Sequence, residues 1–118
     1  MRLLLATDRP DLGHALSVYL TECHIDVVDV VCDHDYLVAK AAVERADAVL
    51  FDWHLGEAVA TEAVAGLEGG ADPTPVVILS TFRESAPAHT SGAAAYATLG
   101  DPPDSLVAVL TEVAGTTS

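Results

Sequence analysis

The segment AVLFDWHLG, residues 48–56, ends an apolar run abruptly at a carboxylate. Val49, Leu50 and Phe51 come directly before Asp52. A charged group at the end of an apolar strand costs free energy unless it is paired or used. A carboxylate in such a place can hold a cation or act as a nucleophile. Asp52 is therefore the residue whose presence most needs a functional explanation.

Other polar residues follow apolar runs in the same way. Asp8 follows RLLLAT, and Ser80 and Thr81 end and follow VVILS. Each has a purely structural alternative. Asp8 is also an ordinary N-cap for the helix predicted after it, and Ser80 and Thr81 are suited to capping the loop that follows them. The functional interpretation depends on whether the fold brings these residues to the place that Asp52 occupies.

Hydrophobic periodicity predicts alternating strands and helices. The predicted strands are 2–7, 25–31, 47–52, 76–80 and 93–98. The predicted helices are 9–23, 35–46, 57–69 and 101–115. The segment 81–92 contains proline and small polar residues, so any helix there is expected to be short or irregular.

Strict alternation of strand and helix favours a parallel sheet covered on both faces. We predict a single α/β domain over residues 1–118, with a doubly wound, flavodoxin-like sheet of five parallel strands in the order 2-1-3-4-5. Ligands of such sheets sit at the carboxyl ends of the strands, where the strand order reverses. Asp8 and Asp52 would then face each other and share a Mg²⁺ ion with the backbone carbonyl of His54. The hydroxyl of Ser80 or Thr81 would bind an anion held at the metal.

Composition excludes several function classes. Five Lys and Arg against eighteen Asp and Glu give a net charge of −13, so the surface itself is not expected to bind nucleic acid. There is no apolar run long enough to span a membrane and no secretory signal, which predicts a cytoplasmic protein. The two cysteines and five histidines lack the spacing of a zinc site.

The segments LLLATDRPDL, LFDWHLG and GAAAYATLG together resemble the receiver domain of bacterial two-component response regulators, over nearly the whole chain. The resemblance implies that Asp52 accepts a phosphoryl group from a sensor histidine kinase. It implies that Asp8 belongs to the acidic pair that holds Mg²⁺, and that Ser80, with Thr81 beside it, supplies the hydroxyl that follows the phosphoryl group. Tyr96 matches the aromatic residue whose rotamer reports the switch.

The same resemblance implies a context for the domain. Receiver domains of this kind typically regulate transcription as the N-terminal part of a longer protein, and commonly as homodimers. Contact with DNA would then be made only by a fused domain beyond Ser118. A stand-alone signalling protein is the alternative arrangement.

The sequence departs from the family pattern at positions that matter for phosphorylation. The acidic pair is reduced to Thr7–Asp8, and Leu99–Gly100 replaces the Lys-Pro that normally follows the fifth strand. The only lysine, Lys40, lies on the second predicted helix. Two unit charges about 4 Å apart interact by about 4 kcal/mol at an effective dielectric constant of about 20, so the loss of that lysine is large. Arg83, just past the fourth strand, is a possible substitute.

Two functions stay open. The first is a signal-receiving domain that switches its output through phosphorylation at Asp52. The alternative is a phosphorylation-independent pseudo-receiver, a dimerisation module controlled by a ligand or partner. An enzyme, such as a Mg²⁺-dependent phosphatase, is not expected, because His54 stands where such enzymes need a second aspartate, two positions after the nucleophile.

Overall fold

The computed structural model describes residues 1–69, 73–81 and 92–116. Five strands form one sheet: β1 (Arg2–Ala6), β2 (Asp26–Val31), β3 (Ala48–Asp52), β4 (Val76–Ser80) and β5 (Ala95–Thr98). Their order is β2-β1-β3-β4-β5, and every neighbouring pair is parallel. The predicted doubly wound α/β fold and its strand order are confirmed.

Four α-helices connect and follow the strands in the described part of the chain: α1 (Pro10–Glu22), α2 (Leu37–Glu44), α3 (Glu57–Glu68) and α4 (Pro103–Thr116). Single turns of 3₁₀-helix lie at His34–Tyr36 and Trp53–Leu55. The second helix is thus shorter than the predicted 35–46, because its first turn is 3₁₀ and because it ends at Glu44, where Arg45 takes a left-handed conformation. None of the helices among the described residues is long and apolar enough to cross a membrane. The irregular segment predicted at 81–92 lies, from 82 to 91, outside the described residues.

The sheet buries both of its faces, as continuous apolar strands require. Alternate side chains of β1, β3 and β4 point to opposite sides, so each strand contributes to two cores. Leu4, Phe51 and Ile78 pack against α2 and α3 in one core. Leu5 and Leu50 pack against α1 and α4 in the other.

The strand register positions the candidate site. Ala6 pairs with Phe51, so Thr7 follows β1 at the level where Asp52 ends β3. On the other side Asp52 pairs with Leu79, and Ser80 follows it by one residue. The carboxyl ends of β1, β3 and β4 therefore meet at the place where the strand order reverses, which is the usual ligand site of such sheets.

Candidate functional site

Asp52 lies at the centre of this edge and is 1% exposed. Its carboxylate accepts four hydrogen bonds. The Thr7 hydroxyl donates to Oδ2 at 2.7 Å and the backbone N–H of His54 donates to Oδ1 at 3.0 Å. The guanidinium of Arg9 donates twice, from Nε to Oδ2 at 2.9 Å and from Nη2 to Oδ1 at 2.7 Å.

These four donors use the acceptor capacity of the group. An ionised carboxylate offers about four lone-pair positions, two on each oxygen. Each oxygen of Asp52 accepts one bond from Arg9 and one from a second donor. The bidentate geometry is the strongest form of the arginine–carboxylate pair. In this arrangement the negative charge of Asp52 is balanced by Arg9, and all of its acceptor positions are filled.

The same contacts decide the pKa of Asp52. Burial by itself would raise the pKa, because it disfavours the charged carboxylate. The hydrogen bonds from Arg9, Thr7 and the backbone of His54, together with the positive charge of Arg9, outweigh burial and hold the pKa of Asp52 below its ordinary value. The carboxylate is therefore ionised at neutral pH.

The turn between β1 and α1 brings Arg9 to Asp52. Helix α1 begins at Pro10, where the missing N–H of proline is tolerated, and Arg9 is its N-cap residue in an extended conformation. The backbone N–H of Arg9 donates to the Thr7 hydroxyl oxygen at 3.1 Å, so one threonine fixes both the turn and the acid. The alternative that Asp8 caps this helix is wrong, since the cap position is Arg9 and no side chain caps it.

Asp8 contacts the ring of His54. Its Oδ1 lies 3.1 Å from Nδ1 of His54, and the two side chains are 45% and 55% exposed. The structure thus brings Asp8 to the ring of His54 at the surface, while Thr7 and Arg9 contact the buried carboxylate of Asp52. The charged partner of Asp52 in this structure is Arg9, and the predicted sharing of a cation by Asp8 and Asp52 stays a prediction.

The backbone after Asp52 explains how His54 reaches the carboxylate. Asp52 caps the 3₁₀ turn Trp53–Leu55, and its side chain accepts from the His54 N–H within that turn. The turn ends at Gly56, whose φ of 115° lies in a region that favours glycine. The predicted metal contact of the His54 backbone carbonyl stays a prediction.

The remaining predicted site residues lie near this edge. Ser80 is buried at the end of β4, and its carbonyl accepts a bond of 2.7 Å from the N–H of Leu99. Thr81 directly follows it. Tyr96 on β5 is half-buried and packs against the core beneath α2 and α3. Arg83 lies outside the described residues, and the switch roles of Ser80, Thr81 and Tyr96 stay predictions.

Solved structures that resemble the chain are receiver domains. The BeF3-activated N-terminal receiver domain of Klebsiella pneumoniae RstA matches with a TM-score of 0.78 and 26% identity, over 97% of this chain and 98% of that one. The receiver domain of the Francisella response regulator 1452 matches with a TM-score of 0.77 and 21% identity, over 99% and 98% of the chains. No protein-family model and no curated protein matches the sequence.

The fold of this chain is that of response-regulator receiver domains. A third similar structure is the receiver domain of the sensor histidine kinase PA1611 from Pseudomonas aeruginosa, with a TM-score of 0.78, 22% identity and 97% of each chain covered. That protein holds a magnesium ion in its active-site cleft.

The residues of this chain do not fit such an ion in the arrangement described above. A hard cation needs free carboxylate oxygens, but all four acceptor positions of Asp52 are taken by N–H and O–H donors. The second acid, Asp8, contacts His54. Among the described residues, moreover, no group of three or more His, Cys, Asp and Glu stands together as a metal site.

Arg9 is the residue of this site that sequence reasoning missed. A buried carboxylate needs a counter-charge, and the chain has only five basic residues. Of these, Arg9 and Arg83 follow the carboxyl ends of strands. Only Arg83 was predicted to substitute for the missing lysine. The usable signal was that Arg9 comes three residues after Ala6, the end of a central strand that pairs with β3.

Proposed function

We propose that this receiver domain is a bacterial regulatory module whose state is controlled by binding, without phosphoryl transfer to Asp52. The observation that carries the proposal is the bidentate contact of Arg9 with a carboxylate whose other acceptor positions are also filled. A nucleophilic oxygen needs a free lone pair directed at the phosphorus atom. Attack by Asp52 would first require Arg9 to leave.

The charge balance supports the same proposal. A phosphoryl group brings a charge of about −1.5 to −2 at neutral pH. Leu99 stands where the family resemblance places a lysine, and the net charge of the chain is already −13. Arg9 supplies one positive charge at the acid, and that charge already neutralises the Asp52 carboxylate.

Phosphorylation at Asp52 is the second candidate, and one observation favours it. The side chain of Arg9 is 35% exposed, so it can move away from the carboxylate into solvent. The lowered pKa keeps Asp52 ionised, as a nucleophile requires. In that case Arg9 would move from the carboxylate to the new phosphoryl group.

One experiment separates the two candidates. The domain is incubated with Mg²⁺ and acetyl phosphate, with a conventional receiver domain as positive control, and the intact masses are measured. We expect the conventional domain to gain one phosphoryl group and this chain to stay unmodified. A phosphoryl adduct on the wild type that disappears in Asp52→Asn would overturn the proposal and establish the second candidate.

The wider context belongs to the same proposal. A homodimer, a cytoplasmic location and an output in transcription through a fused DNA-binding domain stay predictions, and a sensor histidine kinase as partner stays a prediction that goes with the second candidate. The expectation that the chain is not an enzyme also stays a prediction. The acidic surface supports the division of labour, because a domain of charge −13 would need another domain to hold DNA.

A further inference from the structure

A pocket of about 350 Å³ lies on the face of the sheet opposite α2 and α3, between α1, β5 and α4. Its walls are mainly apolar side chains, among them Leu12, Leu16, Ala97, Leu99, Leu106 and Val109. Binding sites for small organic molecules are concave, mostly apolar and about 300–1,000 Å³ in volume. The size and chemistry of this pocket therefore match a small organic ligand.

Small residues create the space. Ala97 forms part of the floor on β5, and Ala15 lines the pocket from α1. Gly100, the second residue after β5, has a φ of 104°, and a Cβ added there would meet no atom within 4 Å. Three of the lining positions thus hold Ala or Gly, the smallest residues of the lining.

Polar groups at the pocket select the charge of a ligand. Asp101 is the only charged residue among the described residues that line it. Asp104 also acts on the lining residue Tyr19. The pKa of the Tyr19 hydroxyl is raised, first by a hydrogen bond with Cys23, then by burial, by the electrostatic interaction with Cys23 and by the negative charge of Asp104. An anionic ligand would meet unfavourable charge here, in a chain of net charge −13.

We infer that this pocket binds a small organic cation with an apolar body, such as an aromatic or aliphatic amine. Its apolar part would lie between α1 and α4, with the charged end towards Asp101. The inference deepens the proposed function, because it names the class of ligand, and it rests on that function for the step from binding to regulation. Binding itself is independent of Asp52. Failure of the pocket to bind the amine and phosphorylation of Asp52 are therefore distinguishable results.

Titration of the full chain with 1-naphthylmethylamine, followed by ¹H–¹⁵N NMR, tests the inference. The matched anion is 1-naphthoate. We expect saturable shifts at the amides of Ala97, Leu99 and Leu106 with the amine, and binding of the naphthoate at least about tenfold weaker. Absence of saturable shifts at these amides, or equal binding of the two probes, would overturn the inference.

Variants locate the site. Ala97→Leu fills the floor of the pocket and should abolish amine binding, and Ala15→Leu at its mouth serves the same purpose if the first variant does not fold. Ala58→Leu, at an exposed position on α3, is the matched control and should bind like the wild type. Asp101→Asn should reduce the ratio of the affinity for the amine to the affinity for the naphthoate by about three- to fivefold. Amine binding unchanged by Ala97→Leu and Ala15→Leu would contradict the proposed location.

Self-association is the other way to cover an apolar pocket, and sedimentation velocity distinguishes it. We expect the sedimentation of the wild type to be the same as that of Ala97→Leu across protein concentrations. A concentration-dependent dimer that Ala97→Leu abolishes would instead assign the pocket to an interface between copies of this chain, and would overturn the small-molecule inference.

Discussion

Arg9 and Asp52 form a bidentate ion pair across the carboxyl ends of two adjacent strands, with Nε 2.9 Å from Oδ2 and Nη2 2.7 Å from Oδ1. The pair places a positive charge on the β1 side of the acid. The family resemblance would have placed that charge after β5, where this chain has Leu99. The domain thus supplies the counter-charge of its buried acid from a different element.

Removal of the arginine tests the importance of this pair. Arg9→Met leaves the buried Asp52 carboxylate without its counter-charge, which costs about 3–5 kcal/mol in a fully buried pair. Because the Arg9 side chain is 35% exposed, we expect a smaller loss of unfolding free energy, about 1–3 kcal/mol. Urea unfolding followed by circular dichroism measures it.

Lys40→Met is the matched control for this experiment. Lys40 has the same side-chain exposure, 35%, but its partner Asp29 is 43% exposed, whereas Asp52 is 2% exposed. An ion pair at the surface is worth about 0–1 kcal/mol, so the control should lose little. Equal losses in the two variants would mean that the burial of Asp52 does not strengthen the pair.

Thr7 gives a second, independent test of the site. Its hydroxyl donates to Asp52 and accepts from the backbone N–H of Arg9. Thr7→Val keeps the shape but removes both bonds, and we expect a loss of about 1.5–3 kcal/mol in unfolding free energy, since one of them is to a buried charge. Thr7→Ser, which retains the hydroxyl, should lose clearly less. The two variants contradict this account if urea unfolding gives them the same stability.

The lowered pKa of Asp52 makes stability depend on pH in a defined direction. The folded state holds this carboxylate ionised more strongly than the unfolded chain does. Its contribution is therefore present above the ordinary pKa of about 4 and is lost as the pH falls through the lower, folded value. Asp52→Asn removes the titration, so the stability difference between wild type and variant should be largest above about pH 4 and should shrink in acid.

Asp29→Asn is the comparison for this pH dependence. The pKa of Asp29 is also lowered, first by its hydrogen bond with Lys40, but the pair lies at the surface. Its effect should be small and should diminish with added salt, while that of Asp52 should persist. Urea midpoints measured from neutral to acid pH, at low and high salt, give both results. A stability difference for Asp52→Asn that stays constant with pH would contradict the predicted titration.

The sequence predicts the frame of this site better than its contacts. Continuous apolar runs such as 76–80 specify strands buried on both faces, and they place Asp52 at a strand end regardless of side-chain detail. The partners of the acid depend on the path of the three residues between β1 and α1. Arg9 reaches Asp52 while its neighbour Asp8 meets the ring of His54, and no periodicity distinguishes these two neighbours. With only five basic residues in the chain, charge alone makes Arg9 a candidate partner of Asp52. The direction of its side chain, however, is known only from the structure.

Glu68 connects the end of α3 with the start of β4 and with the residue before β5, at the opposite end of the sheet. It is the final residue of α3, and its Oε2 accepts from the backbone N–H groups of Val76 and Ala94, each at 2.9 Å. Val76 begins β4 and is 0% exposed, so its N–H would be left without this acceptor in a buried place. We expect Glu68→Ala to lose about 2 kcal/mol of unfolding free energy and Glu68→Gln, which keeps an oxygen acceptor, about 1 kcal/mol.

Amide hydrogen exchange makes this prediction specific to the contact. Protection should fall at Val76 and Ala94 in Glu68→Ala by more than the global loss of stability explains, because these two N–H groups lose their acceptor. Glu62→Ala, at an exposed position of the same helix, is the control and should leave both amides protected. Unchanged protection at Val76 and Ala94 in Glu68→Ala would show that water or another group replaces the carboxylate, and that Glu68 does not hold the starts of β4 and β5 together.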